Sequence, residues 1–210
     1  MAARESAAPF LTPDPSDLGA LQEASAGCRG CPLYEKATQT VFGTGPRGAA
    51  AMLVGEQPGD REDRAGEPFV GPAGHLLREA MGMAGLAVED TYLTNAVKHF
   101  KFELRGKVRL HKKPSAGEVA ACKPWLDAEI AAVRPRLVVA LGATAGQALL
   151  GPSLRVTRVR GTLLQDPNGV TVVPTVHPSS ILRAPNPTAR AAALERFVED
   201  LRTARSIAGA

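Results

Sequence analysis

Four short apolar runs constrain the fold of this chain more than any other feature: residues 49–54, 91–97, 137–141 and 170–175. Helical apolar periodicity follows them at 72–83, 115–133, 143–150 and 188–205. Short strands alternating with helices read as a parallel sheet covered on both faces, a three-layer α/β/α sandwich around four parallel strands. Ligands of such sheets collect beyond the carboxyl ends of the strands. Glu56, Asn95, Gly142 and His177 each stand just past a strand end, so four distant segments are expected to meet in one crevice.

The punctuation between these elements is equally plain. Asp17 is placed to cap a helix reaching residue 26, Ser115 and Glu118 form a capping-box pair, and Pro72 opens a helix at a position that tolerates proline. Asp166-Pro167-Asn168-Gly169 has turn chemistry between 158–164 and 170–175. At 210 residues and 44% hydrophobic content the chain can bury one good core. One domain is expected over 16–210, after a flexible tail over 1–15 that is rich in Ala, Pro, Ser and Asp.

The stretch from Thr94 to Cys122 carries most of the chemistry. It reads as a strand end, a polar basic loop and a helix start, with Lys107, Arg109, Lys112 and Lys113 surrounding His111. A net charge of +4 is only compatible with nucleic acid, but this clustering suggests a loop that meets a phosphate backbone and places an imidazole there. No run approaches the eighteen or so apolar residues of a membrane span, and no export signal is visible. A cytoplasmic monomer is expected, with no membrane partner. No GxGxxG motif is present, which argues against a nucleotide cofactor.

Three cysteines are too few and too oddly numbered for a disulfide framework in such a chain. Cys28 and Cys31 form a turn-rich Cys-x-x-Cys, and Cys122 and His99 bracket the basic loop. Together they make a possible set of four ligands for zinc or for an iron-sulfur cluster, which spacing alone does not separate.

In order along the chain, Cys28-Arg29-Gly30-Cys31-Pro32-Leu33-Tyr34, Gly55-Glu56-Gln57-Pro58-Gly59, residues 67–74, Thr94-Asn95-Ala96-Val97-Lys98 and His177-Pro178-Ser179 resemble the uracil-DNA glycosylase superfamily. The likeness is to its family 4 iron-sulfur members, and within them to the UdgX-type branch, which binds uracil-containing DNA covalently. Two departures from family 4 mark that branch: Gln57 where family 4 has alanine, and the longer basic insertion ending in His111. Family 4 has a cysteine where His99 stands, so the resemblance implies a [4Fe-4S] cluster on Cys28, Cys31, His99 and Cys122. Val108 lacks a positive charge that the branch carries there.

The resemblance also implies roles. Cleaving uracil from deoxyribose requires flipping the nucleotide out of the stack. Phe69 would stack on the base, Asn95 would read its O4 and N3 edge, and Gln57 would shape the pocket. His177 would hydrogen-bond O2 as the base leaves with negative charge, and Glu56 would act on the sugar cation, a water or His111. His111 would be the nucleophile that captures C1′. Lys107, Arg109, Lys112 and Lys113 would hold the DNA backbone, with single-stranded DNA the expected partner. A turnover glycosylase without an adduct, and a non-catalytic Cys3His zinc module that binds nucleic acid, are the alternatives.

Overall fold

A computed structural model describes residues 5–12, 14 and 16–209. Its centre is a sheet in the order β2-β1-β5-β7-β6, where β1 is Ala51–Gly55, β2 Thr91–Asn95, β5 Leu137–Leu141, β6 Leu164–Gln165 and β7 Thr171–Thr175. The expected four parallel strands are present. The correction is a fifth, two-residue strand, β6, which runs antiparallel to β7 across the expected Asp166–Gly169 turn and closes that edge. Its shortness fits an edge position, where a long unpaired strand would invite pairing with another chain. Its partner β7 spans Pro174, which lacks a ladder donor.

Side chains alternate across the strands, so each face of the sheet makes its own core. On one face Leu53, Leu93, Val139 and Val173 pack against α3 (Pro72–Ala84), α7 (Pro178–Leu182) and α8 (Pro187–Ala208). On the other, Met52, Val54, Val138 and Val172 meet α4 (Ala116–Val133) and α5 (Ala143–Leu150). Ser115 and Glu118 do form the capping box of α4, and Asp17 caps α1 (Leu18–Ser25). Two further short helices, α2 (Asp60–Ala65) and α6 (Val156–Val159), complete the layers.

The basic stretch after β2 is not a loop. It is an antiparallel hairpin of β3 (Phe102–Arg105) and β4 (Val108–His111), with Phe102 opposite His111. Gly106, at φ +60°, supplies the left-handed turn that joins two right-twisted strands. Its apolar residues did not reveal it, because Leu104, Val108 and Leu110 are exposed and bury no face.

The amino-terminal segment also departs from the expected tail. Residues 1–4, 13 and 15 lie outside the described residues, but Ala8–Phe10 form a 3-10 turn and the Ala7 amide donates to Ala121 O at 2.8 Å. Ala7 joins an apolar cluster with Cys28, Cys31, Cys122 and Trp125. Gly30 lets this contact form, since a Cβ there would sit 2.7 Å from Ala7 N. Deleting residues 1–12 is expected to expose the three thiols, raising their rate of reaction with a thiol reagent in chelator-treated protein by about tenfold or more; an unchanged rate would show that the segment does not cover them.

Candidate active site

The carboxyl ends of β1, β2, β5 and β7 open on a cavity of about 830 Å³. Glu56, Gln57, Phe69, Asn95, His111, Gly142 and His177 all line it, so the four strand-end segments meet and the hairpin brings His111 to them. Parallel strand order is the cause. Gly55 pairs with Asn95 in register, which sets the residues after β1 and β2 side by side.

Gly55 is the floor. A Cβ on it would lie 2.3 Å from Asn95 Oδ1 and 2.8 Å from Phe69 Cζ, so both groups stand directly over bare backbone. Asn95 is buried at the cavity wall, and among the described residues its side-chain amide takes no protein partner, leaving its donor and acceptor to a ligand. Phe69 adopts φ +59°, a left-handed conformation that costs a bulky residue on the order of 1–3 kcal/mol. The Arg78 guanidinium, donating to Phe69 O, and Gly74, packed beneath the same carbonyl, hold it there. Glu62 frames the same rim by accepting from the amides of Gly59 and Gly71 at 3.1 and 2.7 Å.

His177 is fixed in one tautomer. The Ser179 amide can only donate, and it donates to His177 Nδ1 at 3.2 Å, so the neutral ring carries its proton on Nε2. Burial, then His111 and Arg183, hold its pKa down to about 4. Gly142, at φ +93°, lets the backbone after β5 pass beside the His177 Cβ.

Glu56 Oε2 accepts from the Thr144 hydroxyl, and Glu56 Oε1 lies 3.7 Å from His111 Nε2, too far for a hydrogen bond. Gln57 Nε2 is nearer, 3.0 Å from His111 Nε2. Gln57 Oε1 accepts from the Lys101 amide and Gln57 Nε2 donates to Lys101 O and Lys112 O, which fixes the orientation of the amide. The contact suits the tautomer with the ring proton on Nδ1, because an N–H at His111 Nε2 would face an amide nitrogen that cannot accept. Burial lowers the His111 pKa below the ordinary 6.5; Glu56 opposes this and Arg183 adds to it. Half of the His111 side chain remains open to solvent.

The expected backbone cations divide. Lys107 and Lys113 are exposed, Lys113 on the cavity rim, while Lys112 pairs with Glu103 at 2.5 Å. Arg109 is not free for a phosphate. Its guanidinium is gripped by Asp60 and by Asp63, the latter at 2.6 Å, and it lies over the rings of Phe100 and Phe102. Arg109 therefore straps the hairpin to α2. Sequence reasoning missed Asp60, Asp63, Arg78 and Arg183; the one available signal was a pair of acids three residues apart, facing a basic stretch of unassigned geometry.

Behind the cavity the three thiols are buried together in one apolar cluster. The Trp125 indole and the Lys98 amide donate to Cys28 Sγ and Cys122 Sγ, each at 3.2 Å. Burial pushes the Cys122 thiol up to about 12 and also raises Cys31. His99 directly follows Lys98 and is buried, and burial lowers its pKa to about 4, so its ring is a neutral donor at pH 7. Among the described residues no three His, Cys, Asp or Glu side chains converge on a point as one metal ion requires. Three buried thiols and a neutral imidazole are the donor types that both a zinc ion and an iron-sulfur cluster take.

Gly74→Ala would place a Cβ 1.7 Å from Phe69 O. A loss of about 1–3 kcal/mol of stability is expected, as for other overpacked sites, with the Phe69 turn displaced; a thermal melt indistinguishable from wild type would contradict the packing described for this turn.

A family model for the uracil DNA glycosylase superfamily matches residues 42–202. A Type-4 uracil-DNA glycosylase of Thermotoga maritima is 39% identical over 181 residues, covering 85% of this chain and 88% of that protein. One from Pyrobaculum aerophilum is 36% identical over 180 residues, covering 80% and 86%. A Type-5 uracil-DNA glycosylase of the same organism is 32% identical over 183 residues, covering 79% and 75%. With its strand-end crevice and this extent of likeness, the chain belongs to the uracil-DNA glycosylase superfamily.

Proposed function

We propose that this protein removes uracil from DNA, with single-stranded DNA preferred, and is then captured on it through a bond between His111 Nε2 and C1′ of the deoxyribose. The observation that carries this reading is the presence of a neutral imidazole with a defined lone pair in the same cavity as Asn95, Phe69, Glu56 and His177. Relatives named Type-4 uracil-DNA glycosylase support the excision itself.

In this reading the uracil enters over Gly55, stacks on Phe69 and offers its N3 and O4 edge to Asn95; cytosine presents the reversed edge. The C1′–N1 bond breaks with its electron pair leaving on the base, and His177 donates from Nε2 to the O2 of that anion. The Glu56 carboxylate, oriented by Thr144, stabilises the positive charge left on the sugar or passing to His111. The His111 Nε2 lone pair forms the new bond, and its Nδ1 proton is lost to water afterwards. Gln57 does not oppose this: its two amide hydrogens have two other acceptors, Lys101 O and Lys112 O, so releasing His111 leaves both satisfied. Lys107, Lys112 and Lys113 supply salt-dependent backbone affinity.

Cys28, Cys31, Cys122 and His99 would hold a [4Fe-4S] cluster. It would supply a covalent tie between the amino-terminal segment, the chain leaving β2 and α4.

A second reading, a multiple-turnover glycosylase with His111 as a contact only, is favoured by the names of the relatives. Mass spectrometry of protein mixed with a uracil-bearing oligonucleotide separates the two. The expected outcome is a denaturation-resistant adduct mapped to residue 111, absent in His111→Ala, which still releases uracil. Repeated turnover with no adduct would leave the second reading standing.

Only the neutral ring attacks, and the folded His111 pKa lies below 6.5. Adduct yield should therefore hold from about pH 8 down to 6.5 and decline only below, as protonation removes the lone pair. A loss centred above 6.5 would argue against His111 as the attacking group.

A further inference from the structure

The reaction leaves unused the most deeply buried ion pair in the described residues. The Lys98 and Glu129 side chains are 1% and 0% exposed. Replacing such a pair by apolar residues is often neutral or stabilising, so stability alone does not account for it. What the pair touches does. The three ammonium protons of Lys98 have three acceptors: Glu129 Oε2, Thr94 Oγ1 at 2.7 Å and Asn95 O at 2.8 Å. Glu129 is fixed in turn by the Gly43 amide at 2.9 Å, the Thr94 hydroxyl and the Tyr92 hydroxyl.

Asn95 O belongs to the peptide that follows the base-reading side chain. The other end of that peptide, the Ala96 amide, donates to Gly55 O at 2.9 Å. The Asn95–Ala96 peptide is thus pinned on one side by the floor of the cavity and on the other by Lys98. The Lys98 backbone is itself anchored, its amide on Cys122 Sγ at 3.2 Å and its carbonyl on the Val41 amide at 2.8 Å. One residue therefore touches both a buried sulfur and the peptide that aims Asn95.

We propose that Lys98, held by Glu129, is a positioning residue that transmits the geometry of the buried Cys28, Cys31 and Cys122 cluster, the cysteine shelf, to the uracil-reading amide of Asn95. The inference rests on the reading of Asn95 and of the shelf given above. Uracil preference then depends on the shelf being intact, although no cysteine reaches the cavity wall. Lys98 touches neither base nor sugar.

The test compares wild type, Asn95→Ala and the charge-balanced double variant Lys98→Met with Glu129→Gln, which leaves no lone buried charge. The probes are single-stranded oligonucleotides with one 2′-fluoro-deoxyuridine, which resists cleavage, or 2′-fluoro-deoxycytidine at the same place, read by fluorescence anisotropy beside the visible absorbance and the thermal melt. The double variant is expected to keep wild-type affinity for the cytosine probe and to lose about tenfold of its preference for the uracil probe, the size of one lost hydrogen bond. A folded double variant with full preference overturns the proposal. If Asn95→Ala also keeps full preference, the base-reading assignment has failed instead. Hydrogen exchange on the wild-type chain, before and after chelation strips the shelf, tests the coupling without any variant: the amides of Ala96 and Val97 should exchange about tenfold faster while those of β5 do not change. Equal exchange at Ala96 and Val97 in the two states would overturn the coupling even where the double variant does not fold.

Discussion

Everything in this active site depends on parallel strands finishing at the same edge. β1 lies between β2 and β5, and β5 lies beside β7, so the chain leaves the sheet four times within one small region. Each exit delivers one group: Glu56 and Gln57, Asn95, the Gly142 turn, and His177. Because the strands are buried on both faces, none of these groups can shift without moving a core. Bare backbone at Gly55 then lets Asn95 and Phe69 approach the sheet more closely than any side chain would allow.

His111 is the exception, and its anchoring differs accordingly. It stands on a two-stranded ribbon outside the sheet, and an isolated hairpin has little stability of its own. Three contacts compensate: Gln57 spanning Lys101 and Lys112, Arg109 between Asp60 and Asp63, and Lys101 on Glu118 at 2.8 Å. The Arg109 pair is the firmest, since Asp63 is fully buried and also accepts from the Thr38 hydroxyl and amide. Surface pairs such as Lys112 with Glu103 contribute much less, about 0–1 kcal/mol. The ribbon is therefore held at its base and along one side, while Leu104, Val108 and Leu110 stay in solvent.

The sequence made the sheet legible because five-residue apolar runs and helical periodicity are strong local signals. It made the crevice legible because strand ends in parallel sheets share one side. The hairpin was hidden: its alternation of Phe102 and Leu104 faces no core, so the pattern that marks a half-buried strand carried no weight. Helix α2 was hidden too, since Asp60–Ala65 has no apolar stripe and is fixed by the partners of Asp63 and Glu62. The reassignment of Arg109 follows from both omissions, because a cation on an unplaced loop looks available when the carboxylates that hold it are also unplaced.

Whether such a site releases its product or keeps it turns on a competition at one carbon. In the proposed reaction a sugar cation in the cavity would be met by water or by His111 Nε2, and the chemistry upstream of that point is the same for both. Well-oriented groups reach effective molarities of about 10⁵–10⁸ M, far above that of water, so an imidazole held on line needs no special reactivity to win. What it does need is an unprotonated Nε2, and here the contact with the Gln57 amide and the burial that lowers the His111 pKa both favour that state. On the proposed capture, the outcome in this chain would be decided by the ribbon that carries His111 and the amide at its base.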